Sequence, residues 1–275
     1  MKPIKALIYQ ENNIKYPYKP QEDSFLSKDN IFAVTDGITH DKGEGGLYPT
    51  PSDSKEVAQL VAKELVNNLI AKKDHNEKTI KEAFVAANKK VKTFNSKSKM
   101  WANKGKTVYD IGACTASLVI LKEKSVLYGI LDDCSAAVFD ENLEDKIQIR
   151  DYVVESAKYF NQHYDWSNPK DRKVWRKEIR NHKFKTKNGE EIGYGALDGR
   201  EGFINFLQTG EVKATKSDLV CIYSDGFFKA INDLNFIKLI KDSNFDGSLY
   251  ERINRYLRNK GLDKEKTAYF IKLNT

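Results

Sequence analysis

The stretch Ile31-Phe32-Ala33-Val34-Thr35-Asp36-Gly37-Ile38-Thr39-His40-Asp41 decides how this chain is read. Its first four residues are mostly apolar and β-prone and lead through Thr35 to an aspartate and a glycine, the composition of a buried strand that ends on an acid. Alone, Asp-Gly is a common turn dipeptide. A second copy changes the weighting: Leu219-Val220-Cys221-Ile222-Tyr223-Ser224-Asp225-Gly226 is again an apolar run closed by Asp-Gly. A third acidic pair, Glu22-Asp23, stands just ahead of Phe25-Leu26 and the first Asp-Gly strand. A carboxylate on a strand end is held by the sheet and aimed outward, and the glycine after it allows a sharp turn and an approachable carbonyl. Several such strands converging would make an all-oxygen site for hard divalent cations, as two-metal hydrolysis requires. We therefore read these acids as metal ligands rather than turn residues.

The composition sets bounds around that reading. In 275 residues, 40% are hydrophobic and there are 14 Phe, 14 Tyr and 3 Trp, enough for a substantial core and against disorder. No apolar run approaches the roughly 20 residues that span a bilayer, so no membrane association is expected. The start, Met1 to Tyr9, reads as a first strand and not as a signal peptide. Cys114, Cys134 and Cys221 lie in or beside strand-like segments; an odd, widely spaced set argues against a disulfide framework or zinc site and for a reducing, cytoplasmic setting. Their expected role is that of small buried hydrophobes. The net charge of +7 is local: from Lys170 to Lys187 nine Lys/Arg face two Asp/Glu, which accounts for the whole surplus.

Along the chain, 12–21 is a polar loop with Pro17 and Pro20, and the loop after Asp36-Gly37 carries Gly43, Gly45, Gly46, Pro49 and Pro51. That loop reads as a mobile connection, with a phosphate cradle as the alternative; its spacing fits neither a P-loop nor a dinucleotide fingerprint. Asp53-Ser54-Lys55-Glu56 has the form of a helix cap. Val57, Val61, Leu65 and Leu69 follow at helical spacing, and Ile80, Phe84, Ala87, Val91 and Phe94 mark a second amphipathic helix. From Ala113 the period shortens: 113–121, 125–131 and 136–139 read as three strands of an antiparallel meander with a polar corner at Asp132-Asp133-Cys134-Ser135. Residues 141–200 are irregular, with a helix beginning near Asp165 to Pro169 and carrying Val174, Trp175 and Ile179. Gly189, Gly193, Gly195 and Gly199 mark a loop, 203–207 is strand-like, 236–240 and 249–257 are helical, and 267–273 is the last strand. Without a linker between the Asp-Gly strands, we expect one α+β domain over 1–275, with a basic variable insertion around 141–200.

The order of these pieces resembles the PP2C-like (PPM) family of metal-dependent serine/threonine phosphatases. Gln21-Glu22-Asp23-Ser24-Phe25 is similar to the family's Asn-Glu-Asp-Ser segment, and Phe32 to Gly37 to its Phe-Ala-Val-x-Asp-Gly. Ala113-Cys114-Thr115-Ala116 resembles Gly-Ser-Thr-Ala, Asp132-Asp133-Cys134-Ser135 resembles Gly-Asp-Ser-Arg, and Ser224-Asp225-Gly226 matches Ser-Asp-Gly. The resemblance implies an antiparallel β-sandwich flanked by helix pairs, an αββα arrangement, with the site at one edge. It implies two Mn²⁺ or Mg²⁺ ions held by Glu22 or Asp23, Asp36, the Gly37 carbonyl and Asp225, with Asp23, Asp36 and Asp225 as the catalytic set. A metal-bridged hydroxide would then attack phosphorus, with no protein nucleophile.

The sequence departs from that pattern in four places. Lys264 stands where the family has an aspartate, with Asp263 and Glu265 beside it; a one-residue adjustment would let Glu265 ligate, whereas Lys264 would put a cation in the second metal's place. Lys229 replaces a further aspartate, which argues against a third metal. The arginine that usually precedes Glu22 is absent, leaving Lys19 as a weaker grip on the substrate phosphate. His40 is either a general acid or, as we expect, a solvated loop residue. The expected partner is a phosphorylated protein. The basic segment 170–187 is either a solvated face or a flap attracting acidic partners, with nucleic acid the weakest option. The alternative to an enzyme is a PP2C-like binding or regulatory module that has lost turnover.

Overall fold

The computed structural model of the chain describes residues 2–14, 18–40, 48, 50–98, 111–186 and 188–274. Pro17, the glycines at 43, 45 and 46 with Pro49, and Lys187 lie outside the described residues, and with them the phosphate-cradle reading of that loop.

Two antiparallel sheets are stacked face to face. One has the order β1 (Lys2–Glu11), β11 (Lys266–Asn274), β10 (Leu219–Ser224), β6 (Cys134–Phe139). The other runs β2 (Ser24–Lys28), β3 (Ile31–Gly37), β4 (Cys114–Leu121), β5 (Ser125–Leu131), β9 (Gln208–Lys213). Period-2 alternation explains the layering. Phe32, Val34, Val119 and Val126 meet Val138, Val220, Ile222 and Ile271 between the sheets. The alternate residues Ile31, Ala33, Leu118 and Ile120 face outward onto α1 (Asp53–Ile70) and α2 (Glu77–Lys97) through Val57, Val61, Leu65, Ile80 and Phe84. On the far side Ala137, Cys221 and Phe270 pack on α6 (Leu234–Lys241) and α7 (Ser248–Asn259) through Ile237, Ile240, Ile253 and Leu257. Strands covered on both faces must be apolar throughout, which is why β3 and β10 read as unbroken hydrophobic runs; each fully buried large side chain contributes roughly 1.5–3 kcal/mol. The expected α+β sandwich with flanking helix pairs is the observed fold. The three cysteines are buried and unpaired. Among the described residues no helix is long and apolar enough to cross a membrane.

Three local expectations are corrected. The run 114–139 is not one meander: β4 and β5 pair, but β6 crosses to the other sheet and pairs with β10. The crossing occurs at Asp132, whose φ of 50° turns the chain out of its sheet. The cap of α1 is Ser52, whose side chain accepts from the Lys55 N–H, and Asp53 is already helical. Residues 201–205 form a 3-10 turn in place of a strand, because Phe203 and Phe206 bury together, three apart, under α2.

The insertion contains α3 (Tyr152–His163) and α4 (Pro169–Val174), the latter continuing as a π-helical turn over Trp175–Ile179, and a two-residue ribbon of β7 (Phe184–Lys185) with β8 (Glu191–Ile192). Rings of Phe160, Trp166, Trp175 and Tyr194 stack within it, 4.3–5.2 Å between centroids along the chain of contacts. The short α5 (Phe228–Ile231) follows the second Asp-Gly.

Candidate metal centre

Strand register brings the acids together. Ser24 pairs with Thr35 across β2 and β3, so the next step outward sets Asp23 beside Asp36. Ser224 pairs with Cys134 across β10 and β6, so the next step sets Asp225 beside Asp133. Asp36 itself pairs with Thr115 on β4. All four acids therefore emerge on one edge of the sandwich. Asp36, Asp133, Asp225 and Glu265 line one cleft of about 460 Å³, together with Gly37. One carboxylate oxygen from each of Asp23, Asp36 and Glu265 lies within 4.8 Å of the other two.

The glycines of both Asp-Gly pairs are explained by close approach. Neither Gly37 nor Gly226 has a positive φ. A Cβ on Gly37 would lie 2.9 Å from the Glu22 and Ser54 carbonyl oxygens, and one on Gly226 would lie 2.1 Å from the Glu265 carbonyl oxygen. Only glycine lets the chain segments that carry the other acids come this near. The Gly37 N–H donates to the Glu22 carbonyl at 3.2 Å, tying two of those segments directly.

Supporting contacts fix individual oxygens. Ser224 Oγ donates to Asp23 Oδ2 at 2.6 Å and is itself held by the Thr267 N–H at 3.0 Å. Asp23 Oδ1 is screened from solvent and accepts no hydrogen bond. The Glu22 N–H donates to Glu265 Oε2 at 3.0 Å, which draws Glu265, and not Asp263, into the cluster. Asp263 instead borders a neighbouring cleft with Lys229, and its carbonyl accepts from the Ile14 N–H. Glu22 is outside the three-acid cluster but next to it: its Oε1 accepts from the Tyr48 hydroxyl at 2.6 Å and from Ser52, and its Oε2 lies 3.1 Å from the Lys19 ammonium that also touches Glu265.

Lys19 and Lys264 flank the acids. Lys19 also contacts Glu265 Oε1 directly and donates to Thr39 at 2.9 Å, so its charge is already shared by two carboxylates. Burial opposes the charged ammonium of Lys19, but Glu265 and then Glu22 outweigh it and raise its pKa. Lys264 Nζ lies 3.0 Å from Asp225 Oδ2, and Asp225 first among its surroundings raises its pKa. His40 is not the solvated residue expected: it is 8% exposed, one ring nitrogen is 3.0 Å from Ser54 Oγ, and it lines the cleft.

Crowding burdens these acids. Burial, then Glu265 and Asp225, pushes Asp23 up to about 7. Burial, then Asp225, raises Asp133 to about 7. Asp36 is raised well above the usual carboxylate range by burial and by Asp23, Asp225, Asp133 and Glu265 in turn. Carboxylates held this close favour protons or a bound cation. The donor set is all oxygen, and a buried carboxylate oxygen of Asp23 lacks a partner, so these residues fit a hard divalent ion such as Mn²⁺ or Mg²⁺.

The opposite wall comes from the insertion: Trp166, Arg172, Trp175, Arg176, Arg180 and Tyr194 line the same cleft. Arg180 donates to the Tyr194 hydroxyl at 3.0 Å and lies 3.8 Å from Asp198, which anchors the wall. Arg176 is 8% exposed, whereas Lys173 and Lys177 point to solvent. Arg176 was hidden in a basic run, and the signal that would have picked it out is its i, i+4 spacing to Arg180 beside the apolar pair Trp175 and Ile179.

No protein-family model matches the chain, and no curated protein matches it. Solved structures do. The serine/threonine phosphatase PstP/Ppp of Mycobacterium tuberculosis superposes with a TM-score of 0.67 at 14% identity, covering 98% of this chain and 99% of that one. The catalytic domain of PstP in complex with two manganese ions gives 0.65 at 13%, covering 98% and 97%. The serine/threonine phosphatase Stp1 of Staphylococcus aureus gives 0.65 at 13%, covering 100% and 96%. The chain thus has the PP2C-like (PPM) phosphatase fold from end to end.

Proposed function

We propose that the chain is a divalent-metal-dependent phosphatase that removes phosphate from phosphoserine or phosphothreonine of proteins. The observation that carries this reading is the meeting of Asp36, Asp133, Asp225 and Glu265, from separate segments, in one cleft that arginines also line, with Asp23 buried against Asp36 and Glu265. Asp23, Asp36 and Glu265 would hold a divalent ion, and Asp133 and Asp225 are the oxygen donors left for another. A divalent ion bound there supplies Lewis acidity, lowering the pKa of a coordinated water and neutralising phosphoryl charge. The chain's own residues do the rest. Ser224 and Thr267 fix the orientation of Asp23. Lys19 lies against both Glu265 and Glu22 and offsets part of their charge, and Arg176 and Arg172 across the cleft attract and orient the phosphate dianion. The exposed Lys173 and Lys177 extend that attraction to acidic surroundings of the phosphorylated residue.

The test is Mn²⁺-dependent hydrolysis of para-nitrophenyl phosphate and of a phosphothreonine peptide. Asp36→Ala and Asp225→Ala should each lower kcat by a hundredfold or more, on the order of losing a preorganised charge contact in a site. Activity surviving both changes would place the chemistry elsewhere. One observation favours a second reading, a binding module without turnover: Lys264 sits 3.0 Å from Asp225. Mn²⁺ and phosphopeptide binding without hydrolysis would decide for it.

A further inference from the structure

The charge pairing in the cleft is uneven. Among the described residues, no lysine or arginine is paired with Asp23 or Asp36, and Asp23, 5% exposed, has an oxygen without a partner within the three-acid cluster. Glu265 also carries an ammonium, that of Lys19, but Glu22 shares and offsets that charge, whereas the Lys264 ammonium on Asp225 Oδ2 at 3.0 Å bridges to no second carboxylate among the described residues. Lys264 directly precedes Glu265, one of the three clustered acids, so its backbone is tethered at the edge of the site. Its side chain borders both this cleft and the neighbouring one of about 410 Å³, dividing them at Asp225.

We propose that Lys264 is a built-in counter-cation that limits this centre to one tightly held divalent ion, at Asp23, Asp36 and Glu265. The inference rests on the metal-dependent reading of the site and specifies it further. A second ion using Asp225 would have to displace the ammonium from its oxygen. The displaced side chain, tethered beside Glu265, would still lie within a few ångströms of the new charge. Even at a solvent-like dielectric, a dication and an ammonium at such a distance repel enough to weaken binding about tenfold or more. The isolated ion pair gives up little when broken, since the Lys264 side chain is 72% exposed. Repulsion, not loss of the ion pair, therefore weakens binding of the second ion.

The experiment is a calorimetric titration of the full chain with Mn²⁺ alone, read together with the electron paramagnetic resonance spectrum of the bound ion. The wild-type chain should take up one ion and give the six-line spectrum of an isolated Mn²⁺. Lys264→Arg should behave the same. Lys264→Ala should gain a second ion with affinity improved about tenfold or more, and Lys264→Asp should bind two with an exchange-coupled spectrum. Unchanged circular dichroism checks the fold of each variant. Two comparable ions in the wild-type chain, or one ion in every variant, would overturn the inference while leaving a metal-dependent site. No Mn²⁺ uptake by the wild-type chain would overturn the metal reading itself.

Discussion

On one side of the cleft, Asp23, Asp36, Asp133 and Asp225 stand on strand ends whose flanking residues are buried on both faces and paired into sheets. On the other, Arg172, Arg176 and Arg180 stand on a short helix and a π-helical turn, held by a small ring cluster and few backbone pairs. The acidic wall inherits the rigidity of the sandwich. The basic wall has its own small core, tied to the rest through Tyr152, which also packs on Phe206, and through Asn95, which donates to the Asp198 carbonyl. Rigidity is found where a bound ion would demand fixed oxygens, and the less regular wall faces where a varied substrate would enter. On the proposed reading, chemistry and recognition would sit on structures of different stability.

Breaking the ring cluster should separate the two walls. Phe160 is fully buried and packs on Trp166 and Trp175. Truncating such a ring costs about 3–5 kcal/mol, and here the cost should fall on the insertion. Phe160→Ala is expected to speed hydrogen exchange over 150–195 while the strands stay protected. Turnover of para-nitrophenyl phosphate should fall as the Arg176 grip loosens, and kcat/KM for a phosphothreonine peptide should drop further, tenfold or more. Equal losses on both substrates would mean that the wall grips the phosphate alone and adds nothing to recognition of the peptide.

The same contrast governs what could be read from the sequence. The acidic wall was legible because a buried strand ending in Asp-Gly carries both its secondary structure and its chemistry in eight letters. What stayed hidden there was long-range. Nothing local says that the strand after Asp132-Asp133 joins the other sheet, and the glycines' role, admitting the Glu22 and Glu265 backbones, depends on segments far away in sequence. His40 looked solvated because its neighbours are polar, yet it is covered and bonded to Ser54. Glu22 or Asp23 read as a ligand, and the sequence could not show that Tyr48 and Ser52 hold one Glu22 oxygen while Lys19 lies beside the other. In the insertion, a run of nine cations gave a charge but no direction. Only the π-helical turn separates Arg176, facing the cleft, from Lys173 and Lys177, facing water.

Acid titration probes the rigid wall with a smaller effect. Asp23 and Asp133 are raised from the ordinary 3.8 to about 7 in the folded chain. A raised pKa means the folded state holds protons that the unfolded chain has released. The stabilisation is thus complete below about pH 4 and is lost as the pH rises towards 7, by up to about 1.4 kcal/mol per unit and group. The metal-free chain should melt a few degrees lower at pH 7.5 than at pH 5. Mn²⁺ competes with those protons, so its stabilisation should be larger at pH 7.5. A Tm that rises with pH without metal would contradict the crowding of these acids.

The smallest effect tests the outer face of the basic wall. Lys173 and Lys177 are exposed, so reversing their charge removes no packing and breaks no buried pair. Their influence must act through solvent, where the field of a charge falls off over about 8–10 Å at moderate salt. Lys173→Glu with Lys177→Glu should therefore lower kcat/KM for an acidic phosphopeptide by about two- to fivefold at low ionic strength. The deficit should vanish in high salt, and hydrolysis of para-nitrophenyl phosphate should not change. Arg176→Ala, in the cleft, should impair both substrates at any salt concentration, because its guanidinium acts where water is scarce. If the double reversal instead impairs the small substrate as well, the two lysines reach the cleft, and the division between an inner grip and an outer field disappears.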